Sequence, residues 1–186
     1  PLSSVDGEFM GTLNQGAKNA VEVCMGVKPE ERVLIVTDKG TLIVGNALKR
    51  AAEKITSHVE MYVLEDYGSR PMPSLPKEIL KAIPKANVTF WATKSRKGEL
   101  HTLRAPFIDI AIKYARHGHM PSVKKRLMEE GMCSDYKQIV KFTKKLYAIV
   151  KDAKQIEELT YQCLTPILTG EPHEECNGCP LYIQKE

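Results

Sequence analysis

One stretch concentrates side chains able to hold a charged ligand: Thr93-Lys94-Ser95-Arg96-Lys97-Gly98-Glu99-Leu100-His101-Thr102-Leu103-Arg104. Hydroxyls, two lysines, two arginines and an imidazole give it a local surplus of hydrogen-bond donors. Such a surplus suits a carboxylate, a phosphate or another small anion. Thr93, Lys94, Ser95, His101, Thr102 and Arg104 are the candidate binding residues. The competing reading is an ordinary polar loop with capping hydroxyls, and a histidine such as His101 is more often structural than catalytic. Thr37 and Asp38, which end an apolar run and precede Gly40, form a second, smaller candidate set.

A different chemistry is written near the carboxyl end. Cys176-Asn-Gly-Cys179-Pro180 is a C-x2-C pair, preceded by His173 and, further back, by Cys163. A pair at this spacing bends tightly enough for two thiolates to share one ion, and Gly178 eases the turn. Cys163, His173, Cys176 and Cys179 would close a four-ligand zinc site. A proline after the last cysteine also occurs in iron–sulfur motifs. Against both stands the reading of free thiols in an aperiodic tail.

These residues need elements to position them. Val33 to Val36 is a short β-branched run suited to a parallel strand covered on both faces. From Thr41 the period changes, with Val44, Ala47, Leu48, Ala51 and Ile55 recurring at helical steps, and Val59 to Leu64 returns to a strand pattern. The expected unit is a right-handed β-α-β crossover. Asn87 to Ala92 is a third strand and His117 to Met120 a short fourth. Because Thr93 follows one strand and Thr37 ends another, both polar segments are expected on one carboxyl edge of the sheet, where open α/β folds place ligands.

Around this core, Gly11 to Val27 is expected to be a leading helix with Cys24 on its buried face, and Pro76 to open a short helix through Ile83. Trp91 is expected in the core. The helix starting at Pro106 is apolar almost all round through Phe107, Ile108, Ile110, Ala111, Ile112 and Tyr114, so burial on more than one side is expected. A helix Val123 to Glu130 follows, then a long one after Asp135 with lysines on its solvated stripe. Gln155 to Gln162 has a strand-like composition.

The fold class is therefore α/β: a Rossmann-like, three-layer domain with a short, mostly parallel sheet of about three or four strands or more, flanked by helices, and an irregular cysteine-containing tail. Residues 1–10 read as a cloning remnant, 11–160 as the α/β domain and 161–186 as the tail. The 186 residues carry 42% hydrophobic and 27% charged side chains, with a net charge of +4. That balance is that of a soluble globular chain, and the charge is too mild and too dispersed to indicate a nucleic-acid surface. The five cysteines, an odd number without a secretory pattern, point to a cytoplasmic protein with no disulfide framework.

From about Gly16 to Thr160 the chain resembles the N-terminal domain of the thermophilic metallo-aminopeptidase family, of the aminopeptidase T and aminopeptidase S type. The resemblance rests on Gly16-Ala-Lys-Asn-Ala with Cys24, Lys28-Pro-Glu-Glu-Arg-Val-Leu-Ile-Val-Thr-Asp38, Thr93-Lys-Ser95 with His101-Thr102 and Arg104, Met120-Pro121, and Asp135-Tyr136 before a helix ending near Asp152. It implies a Rossmann-like domain joined to a second domain, peptide N-termini cleaved at a two-metal centre of zinc or another divalent ion, and pairing as homodimers. It also implies a peptide ligand facing the Thr93–Arg104 segment. The residues after Thr160 hold nothing like the family's glutamate and histidine ligand set, so no catalytic residue is assigned and this chain alone is expected not to hydrolyse peptides.

Overall fold

The computed structural model describes residues 11–151, which fall into two compact units divided after Tyr136. The first unit opens with α1 (Leu13–Lys18), continued by a wider π-type turn over Asn19–Cys24. There follow β1 (Val33–Thr37), α2 (Leu42–Ala52), β2 (Val59–Val63), α3 (Lys77–Ala82), β3 (Val88–Ala92), α4 (Ala105–Tyr114), β4 (Arg116–His119) and α5 (Lys125–Glu129). The sheet order is β2-β1-β3-β4, and every neighbouring pair is parallel. This is the Rossmann-like α/β arrangement that the alternation of strand and helix periods implies.

All five residues of β1 and of β3 are buried, as central parallel strands covered by helices on both faces must be. Their side chains alternate between two cores. Val33, Ile35, Val88, Phe90 and Ala92 pack with Ala17, Ala20, Val44, Leu48 and Met128 from α1, its π-type extension, α2 and α5. On the opposite face Leu34, Val36 and Trp91 pack with Ile79, Phe107 and Ala111 from α3 and α4. Trp91 is core, as its sequence context implies, with its ring 4.9 Å from that of Phe107. Gly45 permits the close seating of α2: a Cβ there would lie 2.8 Å from the Thr37 side chain.

Four expectations need correction. Cys24 is exposed, not buried, because the π-type turn adds backbone to the helix and rotates Cys24 away from the face that holds Ala17, Ala20 and Val21. The helical path toward α4 begins in a second π-type turn at Leu100–Arg104, so His101, Thr102 and Arg104 are helical residues and not part of a loop. α4 buries only one face: Phe107 and Ala111 are inside, while Ile112 and Tyr114 are 62% and 58% exposed. It crosses to β4, the last strand of the sheet, and beyond that edge the described first unit offers it no further cover. The Val123–Glu130 helix is shorter than expected, spanning Lys125–Glu129.

α6 (Tyr136–Val150), an amphipathic helix without a buried side chain, starts at the last residue of the first unit and otherwise belongs to the second. The expected strand at 155–162 and the tail with Cys163, His173, Cys176 and Cys179 lie outside the described residues. No helix among the described residues is long and apolar enough to cross a membrane.

Candidate functional site

The step from β2 to β3 crosses over β1, so the strand order reverses between β1 and β3. In open α/β sheets this switch point leaves a crevice at the carboxyl ends of the strands. The loops after β1 and β3 meet there, as expected from sequence: the Lys94 N–H donates to Asp38 Oδ2 at 2.6 Å.

Asp38 organises the meeting. Its Oδ1 accepts from the Thr41 N–H at 2.9 Å and lies 2.8 Å from Thr41 Oγ1, closing the turn into α2. Thr41 Oγ1 also sits 2.5 Å from the Ala92 carbonyl at the end of β3 and 3.1 Å from Thr37 Oγ1. Thr37 and Asp38 are therefore at the rim, but both are buried and their polar atoms bind the protein itself.

Arg70, from the proline-rich loop after β2, fills the crevice beside them. One end of its guanidinium donates to Asp38 Oδ2. The other end and Nε engage both oxygens of Glu99, and Nη2 also donates to the Lys94 carbonyl at 2.8 Å. Glu99 Oε1 accepts from the Met72 N–H at 3.0 Å. The side chains of Arg70, Asp38 and Glu99 are 2%, 1% and 5% exposed. Burial pushes the Asp38 carboxyl up, but the donors from Thr41, Lys94 and Arg70 prevail and hold it below its ordinary range. Glu99 follows the same pattern, with burial opposed by Arg70 and the Met72 N–H. Three loops, one after each of the first three strands, are thus fastened by one buried cation.

Against this network lies a small open cleft of about 50 Å³, whose lining includes Arg70 and Glu99 together with Thr93, Lys94, Ser95, Arg96, Leu100 and Arg104. No carboxylate among the described residues lies within ion-pair distance of Lys94, Arg96 or Arg104. Arg104 Nη1 is 3.5 Å from Ser95 Oγ, and the Ser95 N–H donates to Ser122 Oγ at 2.9 Å. Ser122 turns at φ 54°, just past β4, and so joins the fourth strand's exit to the same rim. Of the sequence candidates, Thr93, Lys94, Ser95 and Arg104 come together here. Thr102 instead donates to the Met72 carbonyl at 2.8 Å, and His101 is exposed outside the cleft lining.

Sequence reasoning missed Arg70 and Glu99, which fasten the loops, and His117 and His119 on β4. A lone arginine between Gly68 and three prolines carries no periodic signal, whereas the alternation of His117 and His119 was visible as a possible same-face pair. Burial pushes the imidazole of His117 down to about 4, with His119 contributing. His119 is lowered by burial and then by the Arg104 cation, which places it beside the cleft's basic wall. Among the described residues no group of three or more His, Cys, Asp or Glu side chains is arranged to hold a metal, so nothing here fits the two-metal centre that the family resemblance implies. Set against known protein families and curated proteins, the chain matches none.

Proposed function

We propose that this chain contributes the α/β domain of a metal-dependent aminopeptidase-like protein, in a ligand-binding role with no peptidase activity of its own. The observation that carries the reading is the convergence, at the sheet's switch point, of two segments that also carry the family resemblance: the end of β1 at Thr37-Asp38 and Thr93-Lys94-Ser95 with Arg104. The first is spent on architecture; the second offers cations to a ligand. In this reading the anionic end of a peptide docks against Lys94, Arg96 and Arg104, and the cleavage chemistry belongs to a metal-ligand set that is not found among the described residues.

Two measurements test it. Leucine p-nitroanilide hydrolysis by this chain with added zinc, cobalt or manganese is expected to stay at background; robust turnover abolished by a chelator would overturn the non-catalytic role. In thermal melts, leucyl-leucine is expected to raise the melting temperature of the wild-type chain, leucinamide, which lacks the carboxylate, to leave it unchanged, and Arg104→Gln to abolish the dipeptide effect.

The cations Lys94, Arg96 and Arg104, which line the cleft without a close ion pair among the described residues, favour a second reading, a stand-alone module for a small anion. Stabilisation by inorganic phosphate but not by the dipeptide would select it. Either reading is compatible with self-association through the uncovered face of α4, where Ile112 and Tyr114 are exposed. Light scattering that finds only monomer would remove that part of the proposal.

A further inference from the structure

His117 and His119 are alternate residues of the parallel strand β4, paired in register with Thr89 and Trp91 of β3. Alternation puts both imidazoles on one face of the sheet. They converge there: His117 Nε2 and His119 Nδ1 are 3.4 Å apart. A direct hydrogen bond between two ring nitrogens is ordinarily nearer ~3.0 Å. Two nitrogens each bound at ~2.05 Å to one tetrahedral ion stand ~3.4 Å apart.

We propose that His117 Nε2 and His119 Nδ1 form a two-histidine chelate for a divalent borderline metal ion such as zinc, with water completing the coordination. Four features of the surroundings support the assignment. Thr89 Oγ1 lies 2.9 Å from His117 Nδ1. By occupying that nitrogen it orients the ring and leaves Nε2 to face the ion, the arrangement by which outer groups fix metal-ligating histidines. The Phe107 ring, with its centroid 5.6 Å from that of His117, supports the imidazole from the helix side. Gly118, between the two histidines, faces the opposite core, where a Cβ would approach Phe90 to 2.7 Å, so β4 can lie close against β3. His119 is exposed, which opens the pair to solvent and to an entering ion. Arg104 acts against a cation here, and it limits the affinity of a site with only two protein ligands.

This inference does not rest on the aminopeptidase reading, because it uses neither the family's ligand set nor the cleft. The test is zinc competition against a chromophoric chelator, using the full chain carrying Cys176→Ser and Cys179→Ser so that the tail thiols do not contribute. One equivalent of zinc is expected to bind, accompanied by shifts of the His117 and His119 ring resonances in proton–nitrogen spectra. His119→Gln is expected to weaken binding at least about tenfold, and Thr89→Val, which removes only the orienting hydroxyl, about 10–100-fold. His58→Gln, an exposed histidine elsewhere, is expected to change nothing. Circular dichroism of each variant separates loss of binding from loss of fold. Zinc affinity unaltered by His119→Gln, or ring resonances of the pair that stay fixed as zinc is added, would overturn the proposal.

Discussion

Replacing Arg70 by methionine keeps much of the side chain's bulk and removes its charge. The wild-type guanidinium lies between carboxylates that are 1% and 5% exposed. After substitution Asp38 keeps donors from Thr41 and Lys94. Glu99 keeps the Met72 N–H alone. Taking one partner out of a buried ion pair costs about 3–5 kcal/mol, because the other charge is left in a poorly polarisable interior. Domain stabilities are about 5–15 kcal/mol, so this is a large fraction of the total. With a urea slope near ~2 kcal/mol per molar, the unfolding midpoint followed by circular dichroism should fall by roughly 1.5–2.5 M.

The pH dependence separates lost charge pairing from lost packing. In the wild-type protein Asp38 and Glu99 are held below their ordinary range. Their stabilisation is therefore complete above the unfolded value of about 4 and disappears as pH falls through the lower folded value. Without Arg70, burial of Glu99 is opposed mainly by one N–H, its folded value rises, and ionising it on the way to neutrality costs stability. The gap between the two proteins should be widest near neutral pH and shrink below about 4. Adding Glu99→Gln should recover part of the loss, with a coupling of about 0.5–3 kcal/mol. A deficit under ~1 kcal/mol, or one equal at neutral and acid pH, would refute the assignment of Arg70 as an electrostatic fastener.

Gly45→Ala sets two effects against each other: alanine favours the helix by ~1 kcal/mol, while its methyl meets Thr37 at 2.8 Å. A net loss of about 1–2 kcal/mol in urea melts is expected from the overpacking, and a net gain would show that Thr37 yields without cost. Arg116 engages both oxygens of Glu31 and the Met25 carbonyl, but its side chain is 46% exposed. Solvent screening accordingly limits the loss in Arg116→Ala to about 1 kcal/mol, and raising the salt from ~0.1 to ~1 M should narrow it.

Legibility in the sequence followed physical range. The β1-α2-β2 unit was readable because strand and helix periods are local and change abruptly at Thr41, and the two polar loops could be placed on one rim because a parallel crossover fixes which strand ends coincide. The fastening itself was not readable. Arg70 meets Asp38 and Glu99 across separations of 32 and 29 residues, and no pattern in a proline-rich loop marks an arginine that will be buried. Glu99 was hidden in the opposite way, as one acid among cations in a segment that looks solvated. Pro106 marked the α4 start to within one residue, as a proline favoured in the first helical turn does, but it hid the π-type turn over Leu100–Arg104 that precedes it. The same kind of turn defeated the helical projection at Cys24.

The buried network and the open cleft share Arg70 and Glu99, which line the cleft as well, and Lys94 links the two through its backbone. Lys94 gives its N–H to Asp38 and its carbonyl accepts from Arg70, so its backbone is held from both directions while its side chain remains exposed at the rim. Ordering one backbone residue costs about 1–2 kcal/mol, and a ligand that meets an already ordered loop is spared that cost. Arg70→Met should therefore weaken dipeptide or phosphate binding although the cleft keeps Lys94, Arg96 and Arg104. The expected loss is roughly 5–30-fold, the equivalent of ordering one residue on binding. Calorimetry at a temperature where the variant is fully folded measures it. Affinity equal to wild type would mean that the network holds the fold together without shaping the site; a loss of this size would make the ion cluster part of the binding apparatus, through the Lys94 peptide that it orders and the Arg70 cation that it sets in the cleft lining.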